Sequence, residues 1–479
     1  MLRKHSDIFV DPKDPFGQDC LERKISAENL TLLLESTSQP FVISVEAPWG
    51  WGKTTFIRMW KALLESRDHL CLYFNAWNND YVDDPLIAFI SEIGTLVNEQ
   101  ISKGNSKSKI QKHWDKVQTI GGGVLRMALP LAVQIATQGF ISSKNVQEVS
   151  KTISSSSREI GEFLSDLAKE RIKQYEAEKL GIKQFKSNLE KLAKILVTSS
   201  DKKPPIIFFI DEMDRCRPDF AIALLERVKH LFSVEGVIFV IAIDRGQIIH
   251  SIRSIYGLGM KAEGYLRRFI DLGYRLPQPS SDIFCRFLFN RFKLNEVYGA
   301  RKGPLQSDPD YLINTFAQLA NIFNFSLRLQ EQCFTEMNLV LRTTSSNGII
   351  FPVLLPFLVA LKAYNQTIYN KLHADSVNIQ EILSCLETTD AGISFLNAWE
   401  GTLIEAYFIV GYLSEDEIES KIKELESVAK NDEHPEKDRV LKILKRLGDI
   451  TSNYWNEKII VKSLVSHLDM VSDFVTKIK

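Results

Sequence analysis

Cysteine is scarce in these 479 residues: Cys20, Cys71, Cys216, Cys285, Cys333 and Cys385 are scattered, with no CxxC pair and no His at ligand spacing. That excludes a zinc ribbon and a disulfide scaffold and predicts reduced thiols in a cytoplasmic protein. A charge of one sign is lacking too. Lys plus Arg number 59 against 60 Asp plus Glu, a formal −1, so no global basic field draws nucleic acid, which is not an expected partner. The first residues, MLRKHSDIFVDPKDPFG, hold no apolar run of signal-peptide length, and the last hold no lipidation or retention motif, so export is not expected. What remains is ordinary: 44% hydrophobic and 25% charged residues suit a folded chain of about three packed units.

From Phe41, FVISVEAPWGWGKTTFIRMWKALLE reads as a strand, a Pro/Gly turn and an amphipathic helix. A second strand, LCLYFNAW, spans Leu70 to Trp77, and a helix starts near Pro85, where proline suits the first turn. Between Asn98 and Ser200 the pattern changes to long helices. Residues 101–200 hold 17 Lys/Arg and 9 Asp/Glu, a net +8 that leaves −9 on the other 379 residues. Within them, five lysines from Lys103 to Lys116 precede a stretch, Ile120 to Ile141, whose only charge is Arg126. A membrane span and a buried or interfacial amphipathic helix both fit. The stripe of Arg126, Pro130, Gln134 and Gln138, with glycines at 121–123, favours the second, with peripheral contact at the inner membrane as a candidate interaction.

Strand and helix alternation returns with PPIIFFIDE, the helix FAIALLERVKHLF, the strand GVIFVIAID, another helix, and a short strand near Leu272 to Leu276. Such near-continuous apolar strands belong in a parallel sheet covered on both faces. Beyond Pro279 the chain reads as helical. The expected division is therefore 1–100, first half of an α/β core; 101–200, a basic helical insert; 201–280, second half of the core; 281–479, a helical lid and C-terminal helical module.

The segment Ala47-Pro48-Trp49-Gly50-Trp51-Gly52-Lys53-Thr54 fits the phosphate-loop pattern with Ala47 in place of the first glycine. Pro48, Trp49, Gly50, Trp51, Gly52, Lys53, Thr54 and Thr55 are the candidate binding residues: successive backbone N–H groups of such a loop, together with the positive end of the following helix, would form an anion cup. Lys53 would reach the β and γ phosphates of ATP, the Thr54 hydroxyl would ligate Mg²⁺, and Thr55 could touch the α phosphate. About 155 residues later IIFFIDE ends in two carboxylates: Asp211 to hold the metal and Glu212 to deprotonate an attacking water. Asp244 ends the next apolar strand, placed either to sense the γ phosphate or to cap the helix after it. Arg267, Arg268 and Arg328 are candidates for a charge-neutralising arginine acting across a subunit contact or from the helical lid, against the alternative of surface ion pairs. Asp214 and Arg215 follow within one turn of Glu212, to pair with each other or to orient the site.

PWGWGKTTF, FNAW with PLIAFISEI, FFIDEMDRCRPDFAIALLERVKHLF, GVIFVIAIDRGQI and GYLRRFIDLGYRLP together resemble a KAP-family P-loop NTPase, and SLRLQEQCFTEMNLVLR resembles that family's helical segment after the sheet. The resemblance covers roughly residues 10–345. It implies the additional-strand (ASCE) class of P-loop domain, with the strand ending at Asp244 between the phosphate-loop strand and the one ending at Asp211. It also carries Lys53, Thr54, Asp211 and Glu212 over as site residues. Family members often place transmembrane helices between the two nucleotide motifs, where this chain has a basic, marginally apolar insert. Bacterial members of similar layout occur in antiphage defence operons, including the Qat type, which implies companion proteins and a defence role. The expected activity is Mg²⁺-dependent ATP hydrolysis acting as a switch for partner proteins, with a second copy of the chain among the candidate partners. The alternative is a non-hydrolysing ATP-binding scaffold at a membrane surface or in a complex.

Overall fold

The computed structural model describes residues 10–37, 39–82, 84–102, 107–127, 157–229, 233–299, 308–344, 351–374, 377–453 and 460–477. The chain divides into two compact units, Asp7–Pro277 and Gln278–Lys479.

The first unit is built on five parallel strands: β1 (Phe41–Glu46), β2 (His69–Asn75), β3 (Lys203–Asp211), β4 (Val237–Ile243) and β5 (Leu272–Arg275). Their order is β2-β3-β4-β1-β5, so β4 lies between the strand that leads into the phosphate loop and the strand that ends at Asp211. Seven of seven residues of β4 are buried because helices cover both faces. The two-residue period assigns each face its own layer. Ile207, Phe209, Ile238, Val240, Ile43 and Val45 pack under α1 (Lys24–Glu35) and α2 (Lys53–Ser66). Ile206, Phe208, Ile210, Phe239 and Ile241 face the opposite layer, with Phe208 stacked on Phe239 at 5.3 Å.

That opposite layer contains α3 (Pro85–Ser102), α4 (Lys107–Met127), α5 (Ser157–Ser199), α6 (Pro218–Val228) and α7 (Arg245–Tyr256). Ile110, Trp114 and Val117 of α4 and Phe185, Leu189, Leu192 and Leu196 of α5 join the same apolar cluster as β3 and β4. The described ends of the 101–200 insert thus share the sheet's core, at about 1.5–3 kcal/mol for each large apolar side chain fully buried. Residues 128–156, and with them most of the 120–141 stretch, lie outside the described residues. Among the described residues no helix is long and apolar enough to cross a membrane.

Several element boundaries differ from the sequence reading by a few residues. The strand expected to reach Trp77 ends at Asn75, because the Asn75 side chain accepts from Asn78 N–H at 3.0 Å and turns the chain into a short 3-10 segment. The strand expected to reach Leu276 ends at Arg275.

Among its described residues the second unit contains helices joined by turns and no strand. Leu354–Tyr364 is buried along nearly its whole length, as its unbroken apolar sequence demands. Trp399–Tyr412, Glu415–Ala429 and Lys437–Asn453 share a cluster of Ile409, Leu425, Ile443 and Leu447. The middle helix of the three starts with a capping box between Ser414 and Glu417.

Candidate phosphate-loop site

β1 ends at Glu46, and the loop from Ala47 to Gly52 then turns sharply into α2. Two glycines make the turn possible: Gly50 and Gly52 have φ of 79° and 78°, in the left-handed region that side chains with a Cβ avoid. Gly52 is the N-cap of α2 and offers no side chain to the helix end. The loop is held at its base by Ala47 N–H donating to the Ile243 carbonyl at 3.2 Å, which ties it to the end of β4. Trp51 packs against the α1/α2 core, whereas Trp49 is 45% exposed. Pro48 supplies its carbonyl to Trp51 N–H, and Thr55 is half-buried one residue into the helix from Thr54.

Lys53 is buried at the first position of α2, and its ammonium donates to the Ala47 carbonyl at 2.6 Å. The same Nζ lies 3.4 Å from Asp214 Oδ2. From the other side of the sequence, the register of β3 puts Asp211 on the α2 face: Phe209 is in the α1/α2 layer, and Asp211 is two residues further along. Tyr73, on the neighbouring strand and the same face, donates to Asp211 Oδ2 at 2.9 Å, and Glu212 N–H donates to Oδ1 at 2.8 Å. Burial pushes the Asp211 carboxyl up to about 6; the bonds from Tyr73 and Thr54 pull the other way, and the nearby Glu212 charge adds to the rise. Burial and the Asp211 charge likewise push the Tyr73 phenol well above its ordinary range, so it stays a donor.

Glu212 would point to the opposite face if β3 simply continued. Instead it sits at φ 60°, a left-handed backbone that is strained for a residue with a Cβ. The kink brings its carboxylate back toward α2, where Thr54 Oγ1 donates to Glu212 Oε1 at 3.1 Å. Arg215 pairs with the other oxygen at 3.1 Å and lies over the Trp77 ring at 5.7 Å. Arg215 therefore pairs with Glu212, and Asp214 turns inward.

Asp244 caps α7, accepting from Gly246 N–H and Gln247 N–H. It also accepts from Trp49 N–H at 3.1 Å, so it holds the tip of the phosphate loop as well as the helix start. One of the loop's backbone donors is thereby committed to protein. Arg267 and Arg268 are exposed at the end of the short helix Ala262–Leu266. Arg328 is exposed in the first turn of Leu327–Thr343, in the second unit.

Arg23 was not anticipated. It is buried before α1, and its guanidinium donates to the Gly52 carbonyl at 3.4 Å and to the Pro277 carbonyl at 3.3 Å, joining the phosphate loop to the segment after β5. Burial lowers its pKa to about 10, which still leaves it charged at neutral pH. Its partners are backbone carbonyls, which leave no mark in the sequence. The one signal available was an arginine directly before an apolar-periodic helix.

The donors present suit a magnesium ion bound with a triphosphate. Among the described residues no cluster of three or more His, Cys, Asp or Glu could hold a metal by itself. What the site does offer is the Thr54 hydroxyl beside a fully buried Asp211 carboxylate whose proton affinity is raised, a hard-oxygen pair able to share a small divalent cation with phosphate oxygens.

A phosphate loop that starts an α-helix, a carboxylate pair ending the strand two places away, and a further strand between them define a P-loop NTPase of the additional-strand class. The KAP family P-loop domain matches residues 23–391, and the chain belongs to that family. It is 24% identical over 178 residues to an uncharacterized protein of Methanocaldococcus jannaschii, an alignment spanning 36% of this chain and 89% of the other. Among solved structures, it overlaps Cdc6p of Pyrobaculum aerophilum at 11% identity and a TM-score of 0.38, covering 98% of this chain and 97% of that one. The ORC2 protein of Aeropyrum pernix overlaps at 11% identity and a TM-score of 0.31, covering 95% of each.

Proposed function

We propose that the chain is a Mg²⁺-dependent ATPase whose turnover acts as a switch for partner proteins. One observation carries this reading: the start of α2 and the end of β3, 158 positions apart, bring Thr54 and Glu212 into hydrogen-bond contact, with Lys53 and Asp211 adjoining. In this reading the Lys53 ammonium and the loop N–H groups bind the phosphates, and Glu212 takes the proton of the attacking water. Thr54 and Asp211 would hold Mg²⁺, whose chemistry there is to offset charge on the β and γ oxygens. Exposed Arg267, Arg268 and Arg328 are the candidates to neutralise charge from a second copy of the chain.

The experiment is phosphate release by the purified full chain. Hydrolysis should require Mg²⁺, and Glu212→Gln should bind ATP yet turn over at least about 100-fold more slowly. Unchanged turnover in that variant refutes the assignment. ATP binding without turnover in the parent itself makes the chain a nucleotide-loaded scaffold instead. The companion-protein and antiphage part of the proposal rests on family resemblance, and its measurement is the hydrolysis rate with and without the products of neighbouring genes.

A further inference from the structure

Asp214 is the convergence point of three segments. Its side chain is 2% exposed, and the single oxygen Oδ2 accepts from the Trp49 indole N–H at 2.7 Å and from Asp244 N–H at 2.8 Å, with Lys53 Nζ at 3.4 Å. Trp49 also donates its backbone N–H to Asp244 Oδ2 at 3.1 Å. Trp49, Asp214 and Asp244 therefore form a closed triangle. One corner is the tip of the phosphate loop, one is the turn after β3, and one is the end of the central strand β4.

We propose that Asp214 is a positioning residue that fixes the tip of the phosphate loop and the Lys53 ammonium against the end of the central strand. This rests on the ATP-binding reading above. The physical basis is that a buried carboxylate oxygen is fixed in place by the donors that converge on it, and charge-assisted bonds of this kind are short and directional. Four Trp49-to-Gly52 loop residues, two of them with the backbone freedom of glycine at positive φ, need an external anchor to keep one shape. The indole of Trp49 supplies that anchor. Its half-exposed ring has no need of apolar burial, whereas its N–H is engaged below the loop. Because Asp214 also faces Lys53, movement of the β4 end is transmitted at once to the loop tip and to the phosphate-binding ammonium. Asp214 touches neither nucleotide nor water in this scheme; it acts through Trp49, Lys53 and Asp244.

The test uses the full chain with Asp214→Asn, Trp49→Phe and the double variant. Trp49→Phe keeps an aromatic ring and removes only the indole donor, so it reports even if Asp214→Asn folds poorly. Two readouts are taken. The first needs no nucleotide: the emission of Trp49, obtained as the parent spectrum minus that of Trp49→Phe, should be shifted when obtained instead as the Asp214→Asn spectrum minus that of the double variant. The second is Mg-ATP affinity, which each single variant should weaken roughly tenfold, with the double variant no weaker than Asp214→Asn alone. Unaltered affinity in both single variants, or losses that simply add, overturns the proposal, as does an unshifted Trp49 spectrum. If the parent itself binds no ATP, the ATPase reading fails and takes this inference with it, an outcome separated from the others because the emission shift is read without nucleotide.

Discussion

The Thr54 hydroxyl donates to Glu212 Oε1 at 3.1 Å, across 158 positions of sequence and between the helix and the strand that frame the phosphate loop. A threonine proposed to hold magnesium and a glutamate proposed to activate water are therefore already neighbours through one hydrogen bond. The remaining oxygen of Glu212 faces Arg215.

Thr54→Ala removes the hydroxyl from both Glu212 and Asp211 and should lower Mg²⁺-dependent phosphate release by about 100-fold or more. Thr54→Ser keeps the oxygen and should retain most of the rate. A steady-state assay at saturating ATP checks both, and an alanine variant as fast as the serine one would show that the hydroxyl has no part in turnover.

Asp211 should destabilise the protein above neutral pH whenever magnesium is chelated. Its carboxyl is raised from 3.8 to about 6 in the folded chain, so between those values the folded state binds more protons than the unfolded one. Stability then falls as pH rises through that window, by about 3 kcal/mol in all, and the loss is complete above pH of about 6. Asp211→Asn removes the charge and keeps the shape, so in EDTA at pH 8 it should melt higher than the parent while losing Mg²⁺-dependent hydrolysis. Tyr73→Phe deletes a bond that favours the ionised form and should steepen the parent's decline with pH. Thermal melts from pH 4 to pH 8 decide the matter; parallel curves for parent and Asp211→Asn would contradict it.

Asp244 holds two structures at once, and its variants should separate them. Asp244→Asn retains a good helix cap with one carbonyl oxygen, whereas Asp244→Ala loses the cap of α7, about 1 kcal/mol, together with the tie to Trp49 N–H. The alanine variant should therefore show a lower melting temperature and weaker ATP binding, and the asparagine variant mainly weaker binding. Equal ATP affinity in all three proteins would make Asp244 a helix cap alone.

The sequence places Lys53 and Thr54 at the start of a helix after a Pro/Gly turn, and Asp211 and Glu212 at the end of an apolar run, so strand period and turn chemistry already point to one edge of a sheet, where Thr54 and Glu212 meet. The order of the strands did not follow from periodicity; it came from family resemblance, and the pairing of β4 with both β1 and β3 agrees with it. Asp244 was legible only as two alternatives, since a cap and a sensor occupy the same place after a strand. Asp214 and Arg23 were the hardest to read. The first is hydrogen-bonded to partners 165 and 30 positions away, and the second to backbone carbonyls, so neither set of contacts leaves a local pattern.

Arg23 should contribute stability through geometry more than through charge. Its two terminal nitrogens reach the carbonyls of Gly52 and Pro277, positions 29 and 254 residues away, so one planar group closes the edge of the sheet onto the phosphate loop. Arg23→Ala deletes both bonds and should lower the unfolding free energy by about 2–3 kcal/mol, since donors on a charged group are worth more than neutral ones. Arg23→Lys keeps the charge, but a single ammonium on a flexible stem cannot span both carbonyls, so its stability should fall between parent and alanine. Urea unfolding at pH 7 gives the ranking. A lysine variant indistinguishable from the parent would mean that positive charge near the N-terminus of α1, and not the two-point bridge, is what this position supplies.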